Sequence, residues 1–320
     1  SDIIVIAPTT ANLLSRLANG SADDFISTVI SASNKDIFLV PAMNVEMWNK
    51  PATKENIKKL HNYNYKFIGP DSGDLACGEV GEGKMSSINE IEKTLELYFI
   101  KKNNSFKNKK VLLTAGPTKE YIDPVRYISN ESSGKQGYEI AKKLLDAGFD
   151  TTLVTGPTNI NYPKELKVIK VITAEEMLQA CQKLLPVNIA ICAAAVVDFS
   201  PEYKEGKIKK NNITNHELKL SENIDILKFL SSQSEHRPGL VIGFSAETEN
   251  VLENSLKKLD KKKCDWIIAN DVSDKSIGFN SDNNEITIIY KNKTTEKVSR
   301  TSKSEIASEV VTRIIKSLGH

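Results

Sequence analysis

The stretch from Lys110 to Pro157 constrains this chain more than any other. Val111–Thr114 is a short apolar run closed by Ala115-Gly116-Pro117, the way a buried parallel strand ends. From Tyr138 the apolar residues change to helical spacing, at Ile140, Ala141, Leu144 and Leu145, until Gly148 stops the helix. Asp150-Thr-Thr-Leu-Val-Thr155 then runs into Gly156-Pro157. Strand, glycine-bearing loop, helix, strand is a nucleotide-binding unit in outline, with backbone amides at the helix start facing any phosphate placed there. The usual glycine pattern is missing. No Gly-x-Gly-x-x-Gly follows Thr114, and Ser133-Gly134-Lys135-Gln136 is no phosphate-binding P-loop. The loop from Gly116 to Gly137 exceeds the usual length of such a turn, so binding residues are expected on it. An ordinary βαβ unit with a long loop fits the same local pattern.

The 320 residues suffice for two domains with their own cores. Lys and Arg (43) nearly balance Asp and Glu (41), which argues against a dedicated DNA-binding or membrane-surface protein. No apolar run approaches a membrane span, and no signal peptide is visible. Cys77, Cys181, Cys192 and Cys264 lie far apart with no metal spacing and read as reduced thiols of a cytoplasmic protein. Ser1-Asp-Ile-Ile-Val begins at once on a core strand, so a truncated N-terminus is expected.

In order, the pattern predicts strands at Ile3–Ile6, Ile37–Val40 and Tyr65–Ile68, and helices at Thr9–Ala18, Ala22–Ser33, Pro51–Tyr63 and Ile88–Ile100. Asp71–Lys84 is glycine-rich, lacks a core period and surrounds Cys77. Residues 101–109, mostly Lys and Asn, read as a linker between domains 1–100 and 110–320. The second half predicts strands at Val168–Ile172, Ile189–Ala194, Leu240–Phe244 and Trp266–Ala269. Helices are predicted at Ala174–Leu185, Asn223–Ser231, Thr248–Lys261 and Ser304–Leu318. Lys204–Lys219 reads as a polar excursion or a hairpin, and Glu285–Tyr290 with Glu296–Ser299 as a hairpin. The fold class expected is α/β: two three-layer α/β/α Rossmann-like domains with mainly parallel sheets, the second with an added hairpin or flap.

Two stretches of the first half carry chemistry. Pro41-Ala42-Met43-Asn44 follows a strand's C-terminal end, where open α/β sheets bind ligands, and its amide suits a substrate carboxylate or amide. A helix-capping Asn fits as well. Ala76-Cys77-Gly-Glu-Val-Gly-Glu-Gly-Lys84 puts a thiol on a flexible loop, as a lid that meets substrate on closure, or simply a surface Cys. Together with Ala7-Pro-x-Thr10-Ala-Asn12 and Ala18-Asn-Gly-x-Ala22-Asp-Asp24, these words resemble the later part of the flavin-dependent phosphopantothenoylcysteine decarboxylases. The resemblance implies FMN as cofactor, substrate binding at Asn44 and its neighbour Met43, and Cys77 as proton donor to the enethiolate. That family's active-site His lies earlier than Ser1, and neither His61 nor any other residue here stands in its position.

Residues 110–320 resemble the phosphopantothenate–cysteine ligase domain that follows it in bacterial bifunctional coenzyme A enzymes. The matching words are Leu113–Thr118, Asp123–Asn130, Ser132–Lys135, Ala193–Asp198, Lys207–Lys210, Gly243–Thr248, Ala269–Asp271 and Gly278–Asn283. The resemblance implies CTP as co-substrate with Mg²⁺ on its phosphates, 4'-phosphopantothenate and L-cysteine as substrates, and an acyl-cytidylate intermediate. It also implies a dimeric ligase domain and a trimeric flavoprotein domain, with no nucleic acid or membrane partner. Forming the anhydride brings carboxylate and triphosphate together, which demands cations and amide donors at the junction.

Of the cations Lys207, Lys209 and Lys210, the resemblance gives Lys207 that role; a solvated lysine run is the plainer reading. Cys192, Ala193, Ala194, Asp198, Ile224, Asp225, Ile226, Leu227, Phe244, Lys258 and Lys262 are the other implied CTP contacts. Phe244 suits plain core equally, and Lys258 and Lys262, at i and i+4, suit a charged helix face. Asn130 is implied to hold the acyl-cytidylate and Arg126 to help its conversion by cysteine; a turn Asn with a surface Arg fits the local pattern. No metal-ligating residues are nameable.

A nicotinamide-dependent oxidoreductase on the Lys110 unit is the rival enzyme reading. It lacks both the glycine fingerprint and an acidic residue ending the second strand. A non-catalytic flavoprotein-like assembly subunit is the third.

Overall fold

A computed structural model describes residues 1–74, 80–102, 106–209, 217–271, 281 and 283–319. Cys77, Lys210 and most of the Gly278–Asn283 run lie outside the described residues. The chain divides into two compact units, Ser1–Leu95 and Glu96–His320.

The first unit runs β1 (Ile3–Thr9), α1 (Ala11–Ala18), α2 (Phe25–Ser31), β2 (Asp36–Pro41), α3 (Val45–Asn49), α4 (Pro51–Asn62), β3 (Lys66–Phe67), β4 (Asp71–Asp74), β5 (Val80–Lys84) and α5 (Ile88–Lys102), the last continuing into the second unit. Parallel strands β1, β2 and β3 lie in that order. Leu39 of β2 is fully buried among Leu14, Leu17, Ile30 and Leu60 of the helices. The expected helix at Thr9 starts two residues later. Thr9 is still in β1, and Thr10 caps α1 by accepting from the Leu13 amide. In the glycine-rich stretch the described residues Asp71–Asp74 and Val80–Lys84 pair as antiparallel strands β4 and β5.

The second unit continues with β6 (Lys110–Ala115), β7 (Lys119–Tyr121), β8 (Tyr127–Ser129), α6 (Lys135–Asp146), β9 (Asp150–Thr155), β10 (Lys167–Lys170), α7 (Ala174–Leu184) and β11 (Ile189–Cys192). Then come β12 (Phe199–Pro201), β13 (Leu220–Glu222), α8 (Ile226–Ser231), β14 (Leu240–Glu247), α9 (Val251–Lys262), β15 (Trp266–Asp271), β16 (Asn283–Tyr290), β17 (Thr295–Ser302) and α10 (Lys303–Ser317). Eight strands form one sheet in the order β10-β9-β6-β11-β14-β15-β16-β17. It is parallel up to β15, and β16 and β17 add an antiparallel hairpin.

Strand β6 explains the layering. Val111, Leu113 and Ala115 point into one core with Ile140 and Leu144 of α6 and Val310 and Ile314 of α10. Leu112 points into the opposite core with Met177 of α7 and Ile226 of α8. Both faces are covered, which is why the run is apolar without alternation. Each such aliphatic side chain contributes about 1.5–3 kcal/mol by burial.

Two local expectations shift. Helix α6 begins at Lys135 rather than Tyr138, so Ser132-Ser133-Gly134 is its approach and Gly134, in the left-handed region, its cap. Helix α8 begins at Ile226, because Asn223 donates its amide to Asp198 O and Asp225 caps the helix. Within the Lys/Asn-rich stretch, Phe106 is only 1% exposed and stacks on Phe149, ring centroids 4.4 Å apart. Among the described residues no helix is long and apolar enough to cross a membrane.

Candidate active site

Strand order reverses between β6 and β11: the chain builds outward to β9 and β10, then returns to the other side of β6. Such a reversal leaves a crevice beyond the strands' carboxyl ends. Thr114, Cys192 and Gly243 stand level across β6, β11 and β14 at that edge. Beyond β11 the segment 193–198 is pinned from several sides. Ala193 N donates to Thr114 O (3.0 Å), Ala195 N to Gly116 O (2.9 Å) and Val197 N to Thr118 Oγ1 (3.0 Å). Asn130 Nδ2 donates to Val196 O (3.0 Å) and Asn223 Nδ2 to Val197 O (2.7 Å). The long loop therefore fastens the strand edge that it overhangs.

Two cavities open along this edge. The first, about 470 Å³, is lined by Cys192, Ala194, Asp198, Ile224, Asp225, Ile226, Leu227, Phe244, Lys258 and Lys262, all residues expected to meet the nucleotide. The second, about 430 Å³, is lined by Asn130, Ala193, the start of α6, Asn270, Asn284 and Lys303. Ala194, Val196, Asp198, Phe244 and Lys258 line both, so the cavities meet there.

Charge is arranged in pairs. Lys262 is ion-paired with Asp225, which also caps α8 by accepting from Lys228 N (2.8 Å). Burial holds the Lys258 ammonium below its ordinary 10.5, against the pull of Glu247, Asp225 and Asp198. Burial pushes the Cys192 thiol well above its ordinary value, so it stays protonated and offers no nucleophile. Lys258 and Lys262 thus face a cavity, whatever their helical spacing suggests.

The structure does not bring every expected residue together. Lys207 lines neither cavity; it is exposed on the segment between β12 and β13. Arg126 lines neither cavity and instead donates to Ile208 O (2.5 Å). Asn223, Asn284 and Lys303 were not singled out by sequence. Asn223 sits in the expected helix, and the other two come from the β16–α10 region, far along the chain.

In the first unit, Asn44 accepts from Glu46 N (2.7 Å) and Met47 N (3.4 Å), capping α3. Met43 N donates to Gly83 O (2.9 Å) and Trp48 Nε1 to Glu82 Oε2 (2.9 Å), so β5 is fastened over Met43 and α3. Gly83 has φ +135°, and a Cβ there would lie 2.4 Å from Met43 O. His61 packs against Phe67.

Residues 1–98 match the model of the Flavoprotein family, and residues 106–318 that of the DNA/pantothenate metabolism flavoprotein C-terminal domain. The coenzyme A biosynthesis bifunctional protein CoaBC of Haemophilus influenzae is 43% identical over 317 residues, covering 98% of this chain and 78% of that protein. The protein of the same name from Bacillus subtilis is 38% identical over 318 residues, covering 98% and 78%. Among solved structures, the C-terminal domain of a coenzyme A biosynthesis bifunctional protein CoaBC superposes with a TM-score of 0.57 at 35% identity, covering 68% of this chain and 98% of that one.

Proposed function

This chain belongs to the family of bifunctional coenzyme A biosynthesis proteins CoaBC, which join a flavoprotein decarboxylase domain to a ligase domain, and from that premise we propose that its second unit joins 4'-phosphopantothenate to L-cysteine at the expense of CTP. The observation that carries the reading is the meeting of two cavities at Ala194, Asp198, Phe244 and Lys258. The nucleotide would occupy the first cavity and the pantothenate arm the second. The carboxylate then attacks the α-phosphate at the junction, pyrophosphate leaves, and the acyl-cytidylate forms. Cysteine's amine attacks the acyl carbon, CMP leaves with the anhydride oxygen, and the amide remains. Lys258 and Lys262 supply fixed cations for two approaching anions, in a partly dehydrated place where such charges act strongly. Pyrophosphate release that requires both CTP and phosphopantothenate tests this directly; its absence defeats the reading.

No cluster of three metal-ligating side chains occurs among the described residues. Mg²⁺ would therefore arrive on the triphosphate, held through its oxygens and waters. FMN would belong to the first unit, where it supplies the redox step of decarboxylation. Ala7, Pro8 and Thr10, at the carboxyl end of β1, are open to solvent and would offer it a wall. The nicotinamide reading gains nothing, since β9 ends in Val154-Thr155-Gly156 with no acidic residue for a ribose.

Asn130→Asp is expected to leave the first-turnover burst of pyrophosphate near wild type while slowing amide formation about a hundredfold or more, the usual scale for losing an oxyanion donor. Aspartate cannot donate to Val196 O, so the loop position that holds the intermediate is lost as well. Acyl-cytidylate should accumulate in a quench without cysteine turnover; wild-type amide formation removes Asn130 from the mechanism.

Lys258 gives a pH signature. Burial lowers it in the free protein, and a bound polyanion raises it again. CTP binding should therefore take up protons in the alkaline window below 10.5, and affinity should fall as pH rises through that window. Calorimetry in two buffers of different ionisation enthalpy measures the uptake. Lys258→Arg should abolish it, since guanidinium does not titrate there. Equal uptake by both proteins refutes the assignment.

A further inference from the structure

Strands β12 and β13 pair at Phe199–Pro201 and Leu220–Glu222, and the described residues 202–209 that follow β12 form one arm of a flap. We propose that Asp123 is a positioning residue that holds this flap, with Lys207 on it, in register with Arg126 on the β7–β8 loop. The inference rests on the ligase reading for what the register achieves, though not for the register itself.

The two oxygens of Asp123 divide their work. Oδ1 accepts from Val125 N (2.8 Å) and Arg126 N (2.9 Å), which is all that shaping the turn requires. Oδ2 does something the turn does not need. It accepts from Ile208 N (3.2 Å), the residue after Lys207, and pairs with Arg126 Nε (3.4 Å). Arg126 Nη2 in turn donates to Ile208 O (2.5 Å), so both backbone polar groups of Ile208 are held by the Asp123–Arg126 pair. The carboxylate is fully buried, where a charge persists only with such partners. Burial alone would raise it, and the three amides and Arg126 outweigh that and keep it ionised.

Further along the flap the same loop grips again. Lys204 N donates to Ile122 O (2.9 Å), and Ser200 Oγ donates to Glu120 Oε2 (3.0 Å) while Glu120 Oε1 accepts from Ala174 N (2.8 Å) at the start of α7. The flap arm from Ser200 to Ile208 is thereby tied at three points to residues 120–123. Arg126, implied in aminolysis, and Ile208, the neighbour of the lysine implied in anhydride formation, share one buried carboxylate.

Asp123→Asn tests this. With its oxygen kept on the turn, the amide nitrogen faces two donors, Ile208 N–H and Arg126 Nε–H, and the flap is released. Trypsin should then cut after Lys204, Lys207 or Lys209 about tenfold faster than in wild type, because cleavage follows the population of the open form. In the full-length enzyme, kcat for pyrophosphate release should fall about tenfold to a hundredfold with KM for CTP within about twofold, as misplacing a catalytic group does. A merely structural Asp123 would lower the unfolding midpoint and leave kcat per folded molecule, and flap cleavage in the folded protein, unchanged; that outcome overturns the proposal. If Asp123→Asn does not fold, Ile208→Pro removes the same N–H from the other side and should loosen the flap with Asp123 intact. Cleavage after Lys204 and Lys209 at wild-type rates in that variant overturns the proposal equally, the bond after Lys207 itself resisting trypsin once a proline follows it. Wild type that releases no pyrophosphate at all defeats the ligase reading, while the proteolysis still decides the clamp.

Discussion

Lys207→Gln is expected to lose pyrophosphate release from CTP and phosphopantothenate by about a thousandfold, the upper scale for removing one preorganised charge from a polar transition state. Thermal unfolding should not move. Lys207 is exposed and buries nothing, and surface changes of that kind stay within about 0.5 kcal/mol. The combination separates a chemical role from a structural one. Lys258 and Lys262 already line the nucleotide cavity, so ground-state affinity for CTP should survive and the loss should sit in kcat. Lys207 lines neither cavity, so its action depends on the reach of its side chain from the arm that Asp123 and Arg126 hold. Pyrophosphate release at the wild-type rate in Lys207→Gln would remove the lysine from the reaction.

What the sequence made legible follows its local periods. The β6–α6–β9 unit could be read because both its strands are buried on two faces and its helix has one apolar stripe; these patterns need no knowledge of distant residues. The β16–β17 hairpin was legible from alternation around Asn292-Lys293. The hairpin alternative for Lys204–Lys219 missed where strands β12 and β13 lie, because Phe199-Ser-Pro and Leu220-Ser-Glu are too short to show a period. Phe106 was hidden by its Lys- and Asn-rich neighbours, since one aromatic in a polar run has no partner until Phe149 is brought beside it.

The site divides in the same way. Cys192 ends β11 and Asp198 follows it, so the sequence could place them at the sheet's carboxyl edge, whereas Phe244 was implied by the resemblance alone; all three line the first cavity. Lys303 and Asn284 reach the second cavity only because β16 and β17 extend the sheet beyond β15. Arg126 and the flap arm that carries Lys207 are joined through the Asp123 carboxylate, by way of Ile208 N, outside both cavities, a connection that only the folded loop creates.

Gly156→Ala should be among the most damaging single-methyl changes in the second unit. Gly156 forms the turn after β9, where its N–H donates to Ala115 O (3.0 Å), and a Cβ there would lie 1.6 Å from Pro117 O and 2.7 Å from Pro117 C. The obstacle is backbone, so no side chain can rotate away. Nor can Pro117 retreat freely: it bridges to Ala195, Ala195 N donates to Gly116 O (2.9 Å), and Thr118 Oγ1 holds Val197 N (3.0 Å). Moving Pro117 drags the segment 193–198, which borders both cavities. The expected cost is about 3–5 kcal/mol, in the range reserved for overpacking or backbone strain. It should be read from the second unit's urea transition, and whatever fraction folds should bind CTP weakly. Gly206→Ala is the matched control. A Cβ at Gly206 meets nothing within 4 Å, so its transition should stay within about 0.5 kcal/mol of wild type. Should Gly156→Ala unfold with the control rather than well before it, the strand edge is not held by the turn after β9, and the rigidity of the cavity junction must come from the bonds of Thr114, Thr118, Asn130 and Asn223 to segment 193–198.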